Sequence, residues 1–340
     1  MRIKFAALVL ILILAGCAFP GSKTPTAVPS TLPSPTEPAV VLTPTPDTPL
    51  AILVIPADMP GKESDLYQTT INDLAKASGM RFQVRNSLSN ADVTMESGLK
   101  IVVAFPPDPG LAALAESAPQ VQFLGVTIPG LATAANLSSI GGEGTPVDKQ
   151  AFLAGYIASL LSPDFRVGII YPKDTPEGKL AYSAFLNGMT FYCGLCNPQF
   201  PPWYKYPVHS EIPSDTPQGQ YPSYADALKN YVVDYAYVFP SVATSDLLDN
   251  MAGYGLNIIG QTRTSDSLAP NWVVSIQPEV VPAIQGIWPD LLAGKGGQNL
   301  SLPLFLKDVN PDLLSEGKLN DVQQILDRLQ RGEISTGVTP

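Results

Sequence analysis

The chain has 340 residues, of which 45% are hydrophobic and 15% are charged, a composition typical of a globular protein. Its formal net charge is −10, from 20 basic and 30 acidic side chains. An acidic chain without a basic cluster argues against a nucleic-acid partner. It argues equally against electrostatic docking to anionic lipid, so any link to a membrane has to come from another feature.

Residues 1–17 have the pattern of a lipoprotein signal peptide. Arg2 and Lys4 supply positive charge, residues 5–14 form an apolar run, and small residues lead to Cys17. The apolar run is shorter than the ~20 residues that a membrane-spanning helix needs. We therefore expect an extracytoplasmic protein that is anchored to the bacterial cell membrane only through lipid on Cys17. The alternative is a coincidental cysteine after an ordinary signal peptide.

Residues 18–49 are rich in proline, threonine and serine, carry little charge and show no apolar period. Such a segment cannot bury a core, and we interpret it as a spacer between the anchor and the folded part. The roughly 290 residues that follow suit one large domain or two smaller lobes.

Apolar runs and helical periodicity alternate along these remaining residues. The predicted strands are 51–56, 99–105, 121–126, 166–171, 235–239, 257–260 and 273–276. The predicted helices are 63–78, 109–117, 150–161, 175–191, 245–251, 280–292 and 320–331. The polar segment 81–96 is compatible with an edge strand, and the segment 197–222, rich in proline and aromatic residues, is predicted to be an irregular loop. This alternation predicts an α/β fold with parallel sheets.

The helix predicted over 150–161 has two different faces. Bulky residues from Phe152 to Leu161 recur at helical spacing, and a second face carries only small side chains. The small side chains are Ala151, Ala154, Gly155, Ala158 and Ser159. A face of small residues allows the backbone of another element to approach closely.

An ordered set of short segments resembles the basic membrane protein (Bmp) family, over roughly residues 100 to 335. The matching segments are 150–158, Val167-Gly168, 184–189, 255–260, Ala269-Pro270, 272–276 and 331–334. The members of that family are lipid-anchored substrate-binding proteins of ABC importers, and several of them bind purine nucleosides. The resemblance implies a two-lobed periplasmic-binding-protein type I fold, in which each lobe is a parallel sheet flanked by helices and crossover segments form a hinge. We expect the first lobe over 50–163 with 278–302, and the second over 164–277 with 303–340.

In open α/β sheets, ligands bind beyond the carboxyl ends of the strands. This rule and the resemblance together predict the ligand-binding residues Phe105, Thr127, Tyr171, Asp174, Phe239, Ser241, Thr244, Gln261, Thr262 and Thr264. Phe105 and Phe239 would sandwich a flat ligand between the lobes. Thr262 and Thr264 occupy positions at which the family carries carboxylates that grip ligand hydroxyls. The family's loop after the first strand is likewise replaced, here by the sequence of residues 57–61.

The remaining cysteines, Cys193 and Cys196, close a predicted helix in an exported chain, which favours a structural disulfide over a redox pair. His209 is the only histidine, so a histidine-based metal cluster is excluded. No nucleophile elbow, phosphate-binding loop or zinc-protease motif occurs. We therefore predict no catalytic residues, metal or cofactor, and no enzyme activity.

The predicted function is capture of a small polar or aromatic ligand by closure of the two lobes, and the ligand expected first is nucleoside-like. The expected partners are that ligand and an ABC permease, and the protein is expected to be a monomer. The alternative is an envelope sensor that uses the same scaffold to signal to a receptor.

The first prediction concerns the anchor. We expect Cys17→Ser to release the protein from the membrane fraction or to leave it unprocessed, because the acceptor thiol is lost. Membrane fractionation and mass spectrometry of the mature N-terminus measure both effects. One acyl chain, at ~0.8 kcal/mol per buried CH₂, binds only marginally, so we expect more than one. A wild-type protein that is soluble and cleaved elsewhere would contradict the prediction.

Overall fold

The computed structural model describes residues 48–339, and the predicted lipid-anchor residue Cys17 and the spacer up to residue 47 lie outside them. The described residues 48–339 belong to one compact unit. Within residues 48–339, no helix combines the length and the apolar character that crossing a bilayer requires.

The first lobe is built on a six-stranded sheet in which all neighbouring strands are parallel. In spatial order the strands are β11 (Asn299–Leu300), β5 (Leu137–Ile140), β4 (Gln122–Val126), β3 (Leu99–Ala104), β1 (Leu50–Val54) and β2 (Arg81–Arg85). The flanking helices are α1 (Gly61–Ala77), α2 (Asn90–Met95), α3 (Leu111–Ser117) and α8 (Val280–Leu292). Alternate residues of β1 enter two separate cores, one with α1 and α8 and one with α3. β1 is buried on both faces, and this burial explains its continuous apolar sequence.

The second lobe contains another six-stranded sheet, which is parallel except for one edge strand. In spatial order its strands are β12 (Leu304–Lys307), β10 (Trp272–Pro278), β9 (Asn257–Gly260), β8 (Tyr235–Val238), β6 (Val167–Pro172) and β7 (Val208–Ile212). β12 pairs antiparallel with β10. The helices are α4 (Val147–Leu161), α5 (Pro176–Cys193), α6 (Ala225–Asn230), α7 (Ser245–Gly253) and α9 (Glu316–Gln330). The prediction of two parallel-dominated sheets flanked by helices is confirmed.

Helix α4 packs in the core of the second lobe, whereas the sequence analysis assigned residues up to 163 to the first. The chain leaves β5 and crosses between the sheets over residues 141–146, so the crossover precedes α4. The bulky face of α4 is buried together with the strands of the second sheet. The sequence analysis placed the boundary between the lobes after residue 163. The two glycines in residues 141–142 instead carry the chain across.

The small-residue face of α4 packs directly on α5, as predicted. A Cβ atom added to Gly155 would collide with the carbonyl oxygen of Phe185, and one added to Gly188 would collide with that of Phe152. Each helix therefore offers one glycine against the backbone of the other. At this distance only glycine, which has no Cβ atom, fits at these two positions.

The structure contains strands that the sequence analysis did not predict. β7 lies inside the segment 197–222, which was wrongly predicted to be irregular throughout. Its His209 is exposed while Val208 and Ile212 are buried, since β7 is an edge strand. β5 was missed because its centre is Ser138-Ser139, two buried polar residues. Segment 81–96, which is compatible with an edge strand by its sequence, contains the edge strand β2.

We predict that Gly188→Ala lowers the free energy of unfolding by about 1–3 kcal/mol, because the new methyl group forces α4 and α5 apart. The matched control is Gly286→Ala in α8, where an added Cβ meets no atom within 4 Å. That substitution should be neutral or stabilise by roughly 0.5–1 kcal/mol. Denaturant unfolding of both variants tests the contact, and equal stabilities would disprove it.

Candidate functional site

The topology places the carboxyl ends of both sheets on either side of the crossovers. β5 and β11 end at Ile140 and Leu300, each directly before a crossover, and β10 ends at Pro278 before the third. All strands of the first sheet, and all but β12 of the second, end on the same edge as these neighbours. The two carboxyl edges therefore face each other across the hinge. This cleft is the candidate site.

Backbone hydrogen bonds and an ion pair hold the three crossovers together. The Gly141 nitrogen donates to the Leu300 oxygen at 2.7 Å, and the Glu279 nitrogen donates to the Pro303 oxygen at 2.9 Å. Lys307 Nζ lies 2.8 Å from the Glu279 carboxylate. The crossovers thus run side by side, which is the arrangement a hinge between two lobes needs.

On the first-lobe side, Phe105 follows β3 but does not offer a free ring. It is 3% exposed, and its ring stacks on Tyr67 of α1 with 4.3 Å between centroids. Tyr67 is half-buried, and burial, followed by the charge of Glu63, raises the pKa of its phenol. Of the two rings, that of Tyr67 is the more accessible. The placement of Phe105 as an open stacking surface is therefore wrong for this structure.

Thr127, the other predicted residue of the first lobe, follows β4 and is half-buried. Its backbone has φ of 54°, a left-handed conformation unusual for threonine. Its hydroxyl donates to the carbonyl oxygen of Val126 at 2.8 Å. The hydroxyl proton is therefore already used, and the oxygen remains available as an acceptor.

Two aromatic residues predicted for the second-lobe side also belong to its core. Tyr171 is the fifth residue of β6, and its ring stacks on Tyr182 of α5 at 5.3 Å. Its hydroxyl donates to Glu211 at 2.7 Å, and burial, then this hydrogen bond, raises the pKa of Tyr171. Phe239 is 7% exposed and packs in the same core. Neither ring stands free in the cleft, which corrects the prediction of an aromatic sandwich.

Polar residues, in contrast, are accessible on the second-lobe edge. Asp174, Ser241, Thr262 and Thr264 are exposed. Thr244 is half-buried and caps α7, where its hydroxyl accepts from the Leu247 nitrogen at 3.3 Å. Asp174 accepts from the Ser214 nitrogen at 3.3 Å.

Strand register brings several predicted residues of this edge together. Ile170 pairs with Val238, and Tyr237 pairs with Ile259. These pairings align Ile170, Val238 and Gly260. One residue further along, Tyr171, Phe239 and Gln261 therefore lie side by side at the ends of three neighbouring strands. Thr262 and Thr264 extend this edge after β9.

The sequence analysis missed Gln150, which lies beneath Gln261. Gln150 is fully buried near the start of α4, and its Nε2 donates to the Ile276 oxygen at 2.6 Å and to Gln261 Oε1 at 3.3 Å. Its own Oε1 is buried without a hydrogen-bond partner. A glutamine in an otherwise apolar helix face was the signal that could have identified it.

Two cavities are lined by none of the predicted ligand-binding residues. One of about 500 Å³ borders the first crossover and the starts of α4 and α5, with Glu143, Asp148 and Glu177 in its wall. Another of about 430 Å³ lies at the outer edge of the second lobe, against Tyr182 and His209. Among residues 48–339, no three His, Cys, Asp or Glu side chains are grouped as metal ligands.

Cys193 and Cys196 are disulfide-bonded, with their Cα atoms 5.2 Å apart. Cys193 is the last residue of α5, and the bond fixes the start of the loop that leads to β7. The pair is therefore remote from the cleft edge, at the opposite end of α5 from Pro176.

No model of a known protein family matches the chain, and no curated protein matches its sequence. Among solved structures, a transcriptional activator of the comK gene from Bacillus halodurans matches with a TM-score of 0.51 and 12% identity, over 84% of this chain and 99% of that one. A solute-binding protein of an ABC transporter system from Aeropyrum pernix matches with a TM-score of 0.46 and 15% identity, over 86% and 93%. A LacI-family regulator from Enterococcus faecium, solved with bound ribose, matches with a TM-score of 0.42 and 13% identity, over 76% of this chain and 96% of that one.

At these identities the likeness concerns the fold alone. The chain has the two-lobed periplasmic-binding-protein type I fold.

We predict that Phe239→Ala destabilises the unliganded protein by about 3–5 kcal/mol, because it removes a buried aromatic ring. Ser241→Ala, two residues away and exposed, should stay within roughly 0.5 kcal/mol of wild type. Denaturant unfolding without ligand decides between core and cleft. If the Phe239→Ala variant is as stable as Ser241→Ala, the assignment of Phe239 to the core is wrong and its ring belongs to the cleft.

Proposed function

We propose that this protein is an extracytoplasmic substrate-binding lipoprotein of the Bmp type, which captures a small polar or aromatic ligand and delivers it to an ABC permease. The observation that carries the proposal is the pair of facing carboxyl edges, which three side-by-side crossovers join within residues 48–339. The ordered sequence resemblance and the signal-like segment ending at Cys17 support the same assignment.

Lobe closure would work as a shift between two populations. A ligand that contacts both edges stabilises the closed state, and only the difference in its affinity for the two states drives closure. Short crossovers let one lobe rotate against the other without disturbing either sheet. The partner that recognises the closed state would be the permease.

The accessible groups favour a polar ligand with one flat part. The second-lobe edge offers the exposed hydroxyls of Ser241, Thr262 and Thr264 and the carboxylate of Asp174. The first-lobe edge offers the half-buried ring of Tyr67 backed by Phe105. A nucleoside combines a flat base with hydroxyl groups, and it is the ligand class that we propose. The spacer would hold this monomeric unit clear of the membrane.

The proposal predicts that the purified protein carries or binds such a ligand and becomes more compact with it. Native mass spectrometry of the protein as isolated identifies the bound compound. Small-angle X-ray scattering with and without that compound should show a smaller radius of gyration when it is present. A ligand that binds without compaction would contradict the closure mechanism.

The partner is tested separately. Cross-linking in membranes that contain the permease encoded nearest to this chain should depend on ligand. Ligand-dependent cross-linking to a receptor kinase and not to a permease would replace the import function by the sensor alternative.

A further inference from the structure

The orientation of the Gln150 side chain is fixed by its hydrogen bonds. One of its amide groups lies 2.6 Å from the backbone oxygen of Ile276. A backbone carbonyl can only accept a hydrogen bond, so the group facing it has to be the Nε2 amide nitrogen. The side chain is fully buried in α4.

This orientation also fixes the side chain of Gln261. The same Gln150 nitrogen lies 3.3 Å from the Gln261 side chain, and its second hydrogen requires an acceptor there. Gln261 must therefore present Oε1 to Gln150. Its own Nε2 group is turned the other way and donates to no atom of residues 48–339.

The location of Gln261 makes this free donor functional. Gln261 is half-buried directly after β9, at the carboxyl edge that faces the first lobe. Beneath it, Gln150 keeps a buried Oε1 without a partner, which is unfavourable for stability. A polar side chain that weakens the core and orients a residue of the cleft is explained by binding and not by folding.

We propose that Gln261 determines ligand specificity by donating a hydrogen bond from Nε2 to an acceptor on the flat part of the ligand, and that Gln150 is its positioning residue. The inference rests on the proposed binding function and deepens it. The Gln261 donor selects bases with a carbonyl oxygen over bases with an amino group at the matching position. An amino group is itself a donor, and two donors cannot form a hydrogen bond with each other.

The test uses the full-length protein in detergent and calorimetric titration with inosine, adenosine, uridine and cytidine. Inosine and uridine carry a carbonyl group where adenosine and cytidine carry an amino group. We expect wild type to bind the carbonyl member of each pair about tenfold more tightly, the effect of one unmatched hydrogen bond.

The Gln261→Glu variant keeps an oxygen towards Gln150 and replaces the outward donor by an acceptor. The preference within each pair should therefore invert. Gln261→Met, which has neither group, should bind both members of a pair equally. The control Gln324→Glu makes the same change on the exposed face of α9 and should leave the preference unchanged.

Gln150→Met tests positioning, because it frees the Gln261 amide to turn over. The ratio of inosine to adenosine affinity should approach one, a readout that a purely structural role would not change. Melting temperatures without ligand confirm that each variant is folded.

Two results would overturn the inference. If wild type binds nucleosides and Gln261→Glu keeps its preference, the specificity assignment fails while the binding function stands. If wild type binds none of the four compounds, the nucleoside class and this inference fail together.

Discussion

The close contact between α4 and α5 is the constraint on which the second lobe depends. Gly155 and Gly188 each face a backbone carbonyl of the other helix, so the two helix backbones pack in close contact. Because α4 is held in this way, Gln150 is held against β10 and Gln261. A packing feature that is visible in the sequence thereby sets the position of a polar group at the cleft.

The chain order around the hinge explains why the lobes can move as units. α8 and β11 return to the first lobe, and β12 and α9 complete the second, so each core draws on separated parts of the chain. Separate cores leave few side chains shared between lobes. The proposed closure would then be concentrated at residues 141–146, Glu279 and 301–303, where the backbone passes between the sheets.

Most strands could be predicted because burial on both faces requires an unbroken apolar run, as in β1 and β6. β5 was not predictable, since its centre is polar: the Ser138 hydroxyl accepts from the distant Gln298 nitrogen at 3.2 Å, and the buried Ser139 hydroxyl has no partner among residues 48–339. Strand ends likewise gave the positions of candidate residues but not the direction of their side chains. Phe105 and Tyr171 turn to Tyr67 and Tyr182, contacts that depend on helix placement.

The hydrogen bonds already present at the cleft decide which groups remain for a ligand. The hydroxyls of Thr127 and Thr244 serve their own backbone. Ser241, Thr262 and Thr264 have no such partner within residues 48–339, and hydroxyls can rotate to donate or accept. In the proposed site they would hold a ligand without discriminating between donor and acceptor. The Gln261 amide cannot rotate freely, because Gln150 fixes one end of it. Under the proposed specificity, discrimination at this edge would therefore depend on a polar group whose orientation the core determines.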